Sequence, residues 1–257
     1  MEQCTLVKIA VKVIDNQEKL EMCLDAFSSV SGMKILIHGG GKSGSDMLKK
    51  LGIEVKYIDG RRITDEKTLN IVTQVYAGSV NKKIVAQLQA RKISALGLSG
   101  CDLNIIHAEK RPSLPIDYGY AGDIKKTNSD ALRWLLSENV CPVINPITHN
   151  GKGQLLNTNA DTIAAEVAIS LSPFYKIRLH YCFEMPGVMM DINNPSSRLD
   201  ELTETQFIDY QKTGVIAAGM IPKLSNGFRA AGPSNTHVTI GSLTHFTSDD
   251  PHTILRP

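Results

Sequence analysis

The segment "ILIHGGGKSGSDMLKKL", residues 35–51, constrains the fold of this chain more than any other. A short apolar run leads into three consecutive glycines, and a helical pattern of apolar residues follows at once. A strand, a glycine turn and a helix in this order expose backbone N–H groups at the positive end of the helix. The segment therefore predicts a strand–helix unit whose glycine loop binds an anion.

Strand-like and helical segments alternate along most of the chain. The apolar run "TLVKIAVKVI", residues 5–14, predicts a first strand, and "QEKLEMCLDAF" predicts the helix after it. A long helix is predicted from about residue 65 to residue 92, with Thr64 as its cap. The Pro-, Gly- and Tyr-rich stretch at 105–126 predicts β-hairpins that form a flap or an edge. This alternation is typical of an α/β fold in which helices cover a parallel sheet.

The sequence contains no internal repeat, low-complexity tract or linker. We therefore predict a single domain over residues 1–257, with two lobes that share one continuous sheet. The boundary is expected between Thr148 and Asn159, where a loop leads into an Ala-rich helix. This boundary gives an amino-terminal lobe of residues 1–155 and a carboxyl-terminal lobe of residues 156–257.

Composition favours a small-molecule partner over a polymer. The 28 basic residues nearly balance the 26 acidic ones, so the net charge of +2 creates no field that would attract nucleic acid. The five cysteines include no C-x-x-C pair and the histidines show no ligand spacing, so neither a disulfide framework nor a metal site is indicated. No segment approaches the 18 or more apolar residues of a membrane span. We expect a soluble protein in a reducing cytoplasm, without a membrane partner.

Three interpretations of the glycine loop follow from its spacing alone. A P-loop requires a glycine five residues before the Gly-Lys-Ser triplet, and Leu36 occupies that position. Gly39, Gly41 and Gly44 match the G-x-G-x-x-G pattern of dinucleotide-binding proteins. Asp59 lies at the spacing of a ribose-binding acid, but the glycines follow the second strand rather than the first. The third interpretation is a turn without a ligand, although three adjacent glycines are conformationally costly.

Four further segments with unusual residues are spread over nearly the whole chain. They are Lys8 on the first strand, "GRRIT" at 60–64, "NTNAD" at 157–161 and "GMIPKL" at 219–224. In this order and spacing, and together with the glycine loop, they resemble the amino acid kinase family, and within it the kinases that phosphorylate acylated glutamate. The resemblance implies the amino acid kinase (carbamate kinase-like) fold, a three-layer α/β/α sandwich with a mostly parallel central sheet.

The same resemblance implies a reaction. It is the ATP-dependent phosphorylation of the γ-carboxylate of N-acetyl-L-glutamate, the second step of arginine biosynthesis, with N-succinyl-L-glutamate left open as the acceptor. Such a reaction brings one anion toward another, so lysines and backbone amides are the expected tools. The resemblance places Lys8 and Lys223 on either side of the transferred group, with Asp161 between them as the carboxylate that positions both.

The acceptor site is also assigned by the resemblance. Gly40 and Gly41 match amide donors to the substrate, and Arg62 matches a bidentate clamp on the α-carboxylate. Asn157 matches a substrate-binding asparagine. For Asn159 the sequence leaves open whether it shares that role or caps the following helix.

ATP is expected over the carboxyl-terminal lobe, with Mg²⁺ carried mainly by its phosphates. The segments "FEMPGVM" at 183–189 and "AAGM" at 217–220 lie where the family has nucleotide loops. They differ from the family, which often has Ser-Asp in the first loop and an Asp before the glycine of the second. The residues assigned to the nucleotide there are Glu184, Gly187, Val188, Ala218, Gly219 and Met220.

Ala10 and Val11 stand where the family has two glycines that crowd a phosphate. We also assign them to the nucleotide site, because their backbone N–H groups persist. A β-branched side chain at Val11 crowds the oxygens expected there, which predicts impaired rather than abolished transfer. An active kinase is favoured, and the alternatives are a silent sensor of an acylated amino acid and a kinase with another acceptor.

Quaternary structure is predicted from the resemblance as well. Family members of this kind are dimers, and those that arginine inhibits carry a helix before the first strand. Only "MEQC" precedes Thr5 here. The expectation is therefore a homodimer that is insensitive to arginine.

Overall fold

The computed structural model describes residues 1–58, 60–216, 220–248 and 250–257. Its strands are β1 Gln3–Ile9, β2 Met33–His38, β3 Tyr57–Ile58, β4 Arg61–Arg62, β5 Ala95–Leu98, β6 Ile106–Lys110, β7 Gly122–Thr127, β8 Cys141–Ile144, β9 Ile147–His149, β10 Leu155–Asn157, β11 Lys176–Cys182, β12 Glu201–Thr203, β13 Thr236–Gly241 and β14 His252–Arg256. Its α-helices are α1 Val11–Ile14, α2 Gln17–Ser29, α3 Ser43–Lys50, α4 Glu66–Thr73, α5 Asn81–Ala90, α6 Ser129–Ser137, α7 Ala160–Leu171, α8 Glu204–Lys212 and α9 Ile221–Ala231.

Eight strands form the central sheet, in the order β12-β14-β13-β11-β1-β2-β8-β5. The ladders from β13 to β5 are all parallel, and β14 pairs antiparallel with β13. The central strand β1 pairs with β2 on one side and with β11 on the other. Strands from both halves of the sequence thus belong to one mostly parallel sheet, and the predicted fold class is confirmed.

Helices cover both faces of this sheet. On one face Leu24 of α2, Leu48 of α3 and Ile84 of α5 pack in a single buried cluster. On the other face Ile163 of α7 and Phe228 of α9 belong to a second buried cluster. Neighbouring residues of β1 alternate between the two clusters, as the period of a strand requires. This arrangement is the three-layer sandwich, and it leaves the ends of the strands open for a site.

The first strand is shorter than predicted. The apolar run to residue 14 predicts a strand of ten residues, but β1 ends at Ile9 and α1 begins at Val11. The Ala10 N–H donates to the Cys182 carbonyl at 2.9 Å, and the Val13 N–H then donates back to the Ala10 carbonyl at 3.1 Å. The chain therefore turns just after Lys8, which lies near the carboxyl end of the strand.

The long helix predicted for 65–92 is present but irregular. A π-helical segment, Gln74–Val80, joins α4 to α5. The predicted cap was wrong, because Asp65 rather than Thr64 accepts a bond from the Thr68 N–H, at 2.7 Å. The π-helical segment shifts the phase of the helix and so changes the direction of the side chains in and after it.

The predicted hairpin region forms as expected. β6 and β7 pair antiparallel and belong to a four-stranded sheet in the order β10-β9-β6-β7. A shorter hairpin joins β3 to β4 and carries Arg61 and Arg62. Across the described ranges, no helix has the length and apolar character needed to cross a membrane.

Candidate active site

A pocket of about 400 Å³ lies beside the carboxyl ends of β1 and β2. Strand ends, helix starts and loops from both halves of the sequence meet there, as expected for a parallel sheet. Seven residues assigned from the sequence line this pocket: Lys8, Val11, Gly40, Gly41, Arg62, Asn157 and Asp161.

Two lysines and one aspartate form a charged cluster, in which Lys8 and Asp161 line this pocket and Lys223 contacts Asp161. Lys8 projects from β1, Asp161 lies in the first turn of α7, and Lys223 lies near the start of α9. Asp161 Oδ1 lies 2.6 Å from Lys8 Nζ and 3.5 Å from Lys223 Nζ. One carboxylate oxygen thus holds two ammonium groups together, as the sequence predicts.

Burial and charge compete within this cluster. Burial alone raises the pKa of Asp161, but Lys223 and Lys8 outweigh it and hold that pKa at about 2. For Lys223, burial lowers the pKa to about 8, because the attraction of Asp161 only partly offsets burial and Lys8 repels. The cluster therefore has two ammonium groups and one carboxylate near neutral pH, a net positive charge that suits a transferring phosphoryl group.

The start of α7 fixes the position of Asp161. Asn159 caps this helix, because its Oδ1 accepts from the Asp161 N–H at 2.7 Å and from the Thr162 N–H at 3.2 Å. The Tyr181 hydroxyl donates to the Asp161 carbonyl at 3.2 Å. Asn159 therefore caps α7, which is one of the two roles that the sequence left open, and it also lines the pocket.

Tyr76 packs against the glycine loop and explains why side chains are missing there. A Cβ atom added at Gly40 would lie 1.8 Å from Tyr76 Cε1, and one added at Gly44 would lie 2.6 Å from the same atom. Gly41 has a φ of +65°. Sequence analysis missed Tyr76, because the π-helical segment redirects it and helical periodicity does not show such a shift.

The residue after the glycines is held by a carboxylate that the sequence analysis also missed. The Lys42 N–H lies 2.7 and 2.8 Å from the two carboxylate oxygens of Asp15. A Cβ atom added at Gly41 would lie 2.8 Å from Asp15 Oδ1. Asp15 thus closes the turn, and the N–H groups of Gly40 and Gly41 have no acceptor among the described residues.

Arg62 is buried, and one edge of its guanidinium group is fixed. Its Nη2 donates to Ser45 Oγ at 2.8 Å and to the Tyr57 hydroxyl, and its guanidinium carbon lies 4.7 Å from the centre of the Tyr57 ring. Its Nη1 is buried without a partner among the described residues. A buried guanidinium nitrogen without an acceptor is costly, which suits a site that receives an anion.

Asn157 lines the same pocket from the end of β10. Its Nδ2 donates to Thr64 Oγ1 at 3.1 Å, and its backbone N–H donates to the Tyr120 carbonyl at 2.9 Å. Arg61, the neighbour of Arg62 on β4, also lines the pocket and is half-buried, whereas the sequence left open whether it is a plain solvated charge or part of an anion site. Arg61 and Arg62 thus add cationic donors, and Asn157 adds an amide donor, to the pocket that Lys8 and Asp161 also line.

Val11 reaches toward the glycine loop. Its side chain is 41% exposed and lines the pocket, and its Cγ2 would lie 3.2 Å from a Cβ atom added at Gly39. The Ala10 N–H already donates to Cys182, so that donor is used within the sheet. Val11 therefore lies beside the glycine loop at the pocket, whereas the Ala10 N–H is bonded to β11.

The nucleotide residues that were assigned in the segments 183–189 and 217–220, and that the structure describes, do not lie at this pocket. Glu184 forms ion pairs with Lys12, at 3.5 Å, and with Lys19. The Val188 N–H donates to Thr253 Oγ1 at 2.8 Å. Of the described assignments in these two loops, none lines the pocket; Gly187 packs on Thr253, and Met220 precedes α9. Ala218 and Gly219, like Asp59, lie outside the described residues.

Comparison with known proteins identifies the family to which this chain belongs. A family model described as "Amino acid kinase family" matches residues 3–242. The chain belongs to the amino acid kinase family. The predicted membership is confirmed, and it replaces the dinucleotide-binding interpretation of the glycine loop.

Relatives and solved structures agree with this membership. An acetylglutamate kinase from Bacteroides thetaiotaomicron is 47% identical over 239 residues, 93% of this chain and 93% of that protein. The N-acetylglutamate synthase from Neisseria gonorrhoeae complexed with coenzyme A and N-acetyl-glutamate has a TM-score of 0.82 at 21% identity, covering 99% of this chain and 59% of that one. Carbamate kinase from Giardia lamblia bound to AMP-PNP has a TM-score of 0.70 at 10% identity, covering 99% of both chains. The two structures show the shared fold alone.

Proposed function

We propose that this protein uses ATP to phosphorylate the γ-carboxylate of N-acetyl-L-glutamate, the second step of arginine biosynthesis. The observation that carries the proposal is the cluster of Lys8, Asp161 and Lys223 at a pocket that also holds the unpaired Nη1 of Arg62. Relatives named acetylglutamate kinase that match 93% of the chain support the same activity. The two lobes, residues 1–155 and 156–257, are proposed to bind the acceptor and ATP respectively.

In this reaction a γ-carboxylate oxygen attacks the γ-phosphorus of ATP, and the bond from that phosphorus to the β,γ-bridging oxygen breaks. ADP leaves with the bonding electron pair, and the acyl phosphate remains. Negative charge spreads over the phosphoryl oxygens in the transition state. Lys8 and Lys223 stabilise that charge, and Asp161 holds their ammonium groups in place.

Other residues that line the pocket hold the acceptor. Arg62 Nη1 and Asn157 Nδ2 bind the α-carboxylate, and the N–H groups of Gly40 and Gly41 bind the reacting end. Arg61 adds a second guanidinium group at the pocket, so N-succinyl-L-glutamate, whose acyl group carries a further carboxylate, belongs in the same assay.

Mg²⁺ neutralises the nucleotide phosphates when it is bound. Asp161 is the single carboxylate that lines the pocket among the described residues, and two ammonium groups already contact it. We therefore infer that the phosphates carry the ion and that protein carboxylates contribute little. Ala10, Val11, Glu184, Gly187, Val188, Ala218, Gly219 and Met220 remain the proposed nucleotide neighbours.

The pH dependence of the reaction tests the role of Lys223. Because the pKa of Lys223 is about 8, the free enzyme loses this ammonium group above that pH, and kcat/KM is expected to fall tenfold per pH unit there. Lys223→Arg keeps its charge, so this descending limb should disappear even if the rate is lower. Direct quantification of ADP between pH 6 and 9.5 measures both profiles.

Lys212→Arg is the matched control. It makes the same substitution at an exposed residue of α8 that does not line the pocket. Its profile should coincide with that of the native protein. An unchanged descending limb in Lys223→Arg would assign the ionisation to another group.

The first loop gives a direct test of activity. Acyl phosphate trapped with hydroxylamine should form in the native protein from ATP, Mg²⁺ and N-acetyl- or N-succinylglutamate. The Ala10→Gly/Val11→Gly variant should raise kcat by about tenfold at most, because relief of crowding is worth roughly 1–3 kcal/mol and part of it is lost to the added flexibility. The better acceptor identifies the acyl group.

Other outcomes of this assay separate the alternatives. Turnover that appears only in the glycine variant would identify a kinase silenced at this loop. If both proteins are silent but acceptor binds by calorimetry, a sensor is indicated, and silence without binding indicates another acceptor. Size measurement with and without arginine tests the proposed arginine-insensitive homodimer, and the cytoplasmic location remains a prediction.

A further inference from the structure

His38 ends β2 directly before the glycine loop and is completely buried. Its Nδ1 lies 2.8 Å from the Gly39 carbonyl oxygen, and its Nε2 lies 3.0 Å from Asn81 Nδ2. Asn81 Nδ2 also lies 2.9 Å from the Val143 carbonyl oxygen on β8. Three elements therefore meet at one imidazole ring.

These contacts determine where each proton lies. The Val143 carbonyl can only accept, so the Asn81 amide nitrogen faces it and donates. The second hydrogen of that nitrogen points to His38 Nε2, which must therefore be the unprotonated ring nitrogen. The proton of the neutral ring is then on Nδ1, and Nδ1–H donates to the Gly39 carbonyl.

The geometry of the Gly39–Gly40 peptide links this hydrogen bond to the direction of the Gly40 N–H. The Gly39–Gly40 peptide is trans, since the one cis peptide bond among the described residues joins Leu114 to Pro115. In a trans peptide the C=O of one residue and the N–H of the next point in opposite directions. A carbonyl held toward His38 therefore turns the Gly40 N–H away from His38, and Gly40 lines the pocket.

We propose that His38 and Asn81 are positioning residues that aim the Gly40 N–H at the reacting carboxylate of the acceptor. This inference rests on the proposed function, since the acceptor is the acylated glutamate. Glycine peptides rotate easily, and a free Gly39–Gly40 peptide would have no preference for this orientation. The His38 bond removes that freedom before the acceptor arrives, so binding does not have to supply the ordering.

Three further features of the structure support this arrangement. Burial lowers the pKa of His38 to about 4, so the ring stays neutral and keeps one donor and one acceptor. Asn81 begins α5 directly after the π-helical segment, which sets the phase that turns it toward His38. Gly97 on β5 leaves the necessary space, because an added Cβ would lie 1.9 Å from Asn81 Oδ1.

The test compares variants that keep or remove the donor to Gly39. His38→Asn keeps an amide N–H near the position of Nδ1, whereas His38→Leu removes it. Gly97→Ala disturbs Asn81 without touching the loop. Gly232→Ala is its matched control, because Gly232 is exposed at the end of α9 and a Cβ there would come no closer than 3.4 Å to another atom. The measurements are Kd for N-acetyl- and N-succinylglutamate by calorimetry, KM for acceptor and ATP, and the melting temperature.

We expect His38→Leu and Gly97→Ala to raise Kd and KM for the acceptor about tenfold or more, with KM for ATP within about threefold. His38→Asn should recover most of the acceptor affinity. A merely structural histidine would lower the melting temperature without this selective effect. Native acceptor affinity in His38→Leu and Gly97→Ala, or equal loss in His38→Asn and His38→Leu, would overturn the inference.

If His38→Leu does not fold, His38→Asn and Gly97→Ala decide the question. Acceptor affinity near the native value in His38→Asn together with a loss in Gly97→Ala supports the positioning role, and any other combination rejects it. A native protein that neither binds nor phosphorylates either acylglutamate would overturn the proposed function as well. If instead the native protein is active and the His38 variants keep native acceptor affinity, only the positioning inference is overturned.

Discussion

Replacing Asp161 with asparagine is expected to lower kcat on the order of 10³-fold. The substitution keeps the size of the side chain but leaves Lys8 and Lys223 without the carboxylate oxygen that lies 2.6 and 3.5 Å from their ammonium groups. Two buried ammonium groups then repel each other, and their aim at the transferred phosphoryl group is lost. Removal of one preorganised donor typically costs 10²–10³-fold, and here two are affected. Initial rates of ADP formation with saturating substrates measure the effect.

Stability should change in the same variant. Breaking a buried ion pair from one side typically costs about 3–5 kcal/mol, which urea unfolding can measure. Asp130→Asn is the matched control, because Asp130 stands two residues after the asparagine cap of α6, as Asp161 does in α7. Asp130→Asn should keep kcat within about twofold of native and the free energy of unfolding within about 0.5 kcal/mol of native. An Asp161→Asn protein that keeps kcat within tenfold would remove Asp161 from its proposed role.

The second large effect is expected for Arg62→Lys, which should raise KM for the acceptor about 10²-fold and change kcat much less. Lysine keeps the charge but cannot donate at once to Ser45, Tyr57 and the α-carboxylate, and it loses the stacking on the Tyr57 ring. A charge-assisted hydrogen bond contributes roughly 1.5–3 kcal/mol, which is the stated change in affinity. Saturation curves for the acceptor at fixed ATP give both constants.

Arg61→Lys provides the comparison within the same strand. Arg61 also lines the pocket, and Arg61→Lys retains the positive charge there, so KM for N-acetylglutamate should stay within about threefold of native. If both variants raise KM equally, the general positive field rather than a clamp by Arg62 would account for binding.

The architecture and the charged cluster could be predicted because both depend on the order and spacing of residues along the chain. The alternation of strands and helices fixes the layers, and the spacing of Lys8, Asp161 and Lys223 matches a known pattern. The end of β1 could not be predicted in the same way. Residues 10–14 are apolar and partly β-branched, which favours a strand, but the bond from Ala10 to Cys182 and the turn after it prevail.

The supporting residues around the site could not be predicted either. Tyr76 and Asn81 owe their directions to the π-helical segment, and a pattern based on 3.6 residues per turn points such side chains elsewhere. Tyr57 and Asp15 act through contacts with residues at least five positions away, which local patterns do not encode. The helix cap at Asp65 instead of Thr64 is an error of one position, within the normal uncertainty of helix ends.

The place of β1 in the middle of the sheet has a consequence for biosynthesis on the ribosome. β2 is available as a neighbour almost at once, but β11 lies far downstream, and Lys223 later still. At about 5–20 residues per second, roughly 9–35 s separate the synthesis of Ile9 from that of Cys182 at the end of β11. During that interval the nascent chain carries one unpaired edge of β1, a surface that can associate with other chains. Slow synthesis or truncation after α7 should therefore make the protein dependent on chaperones.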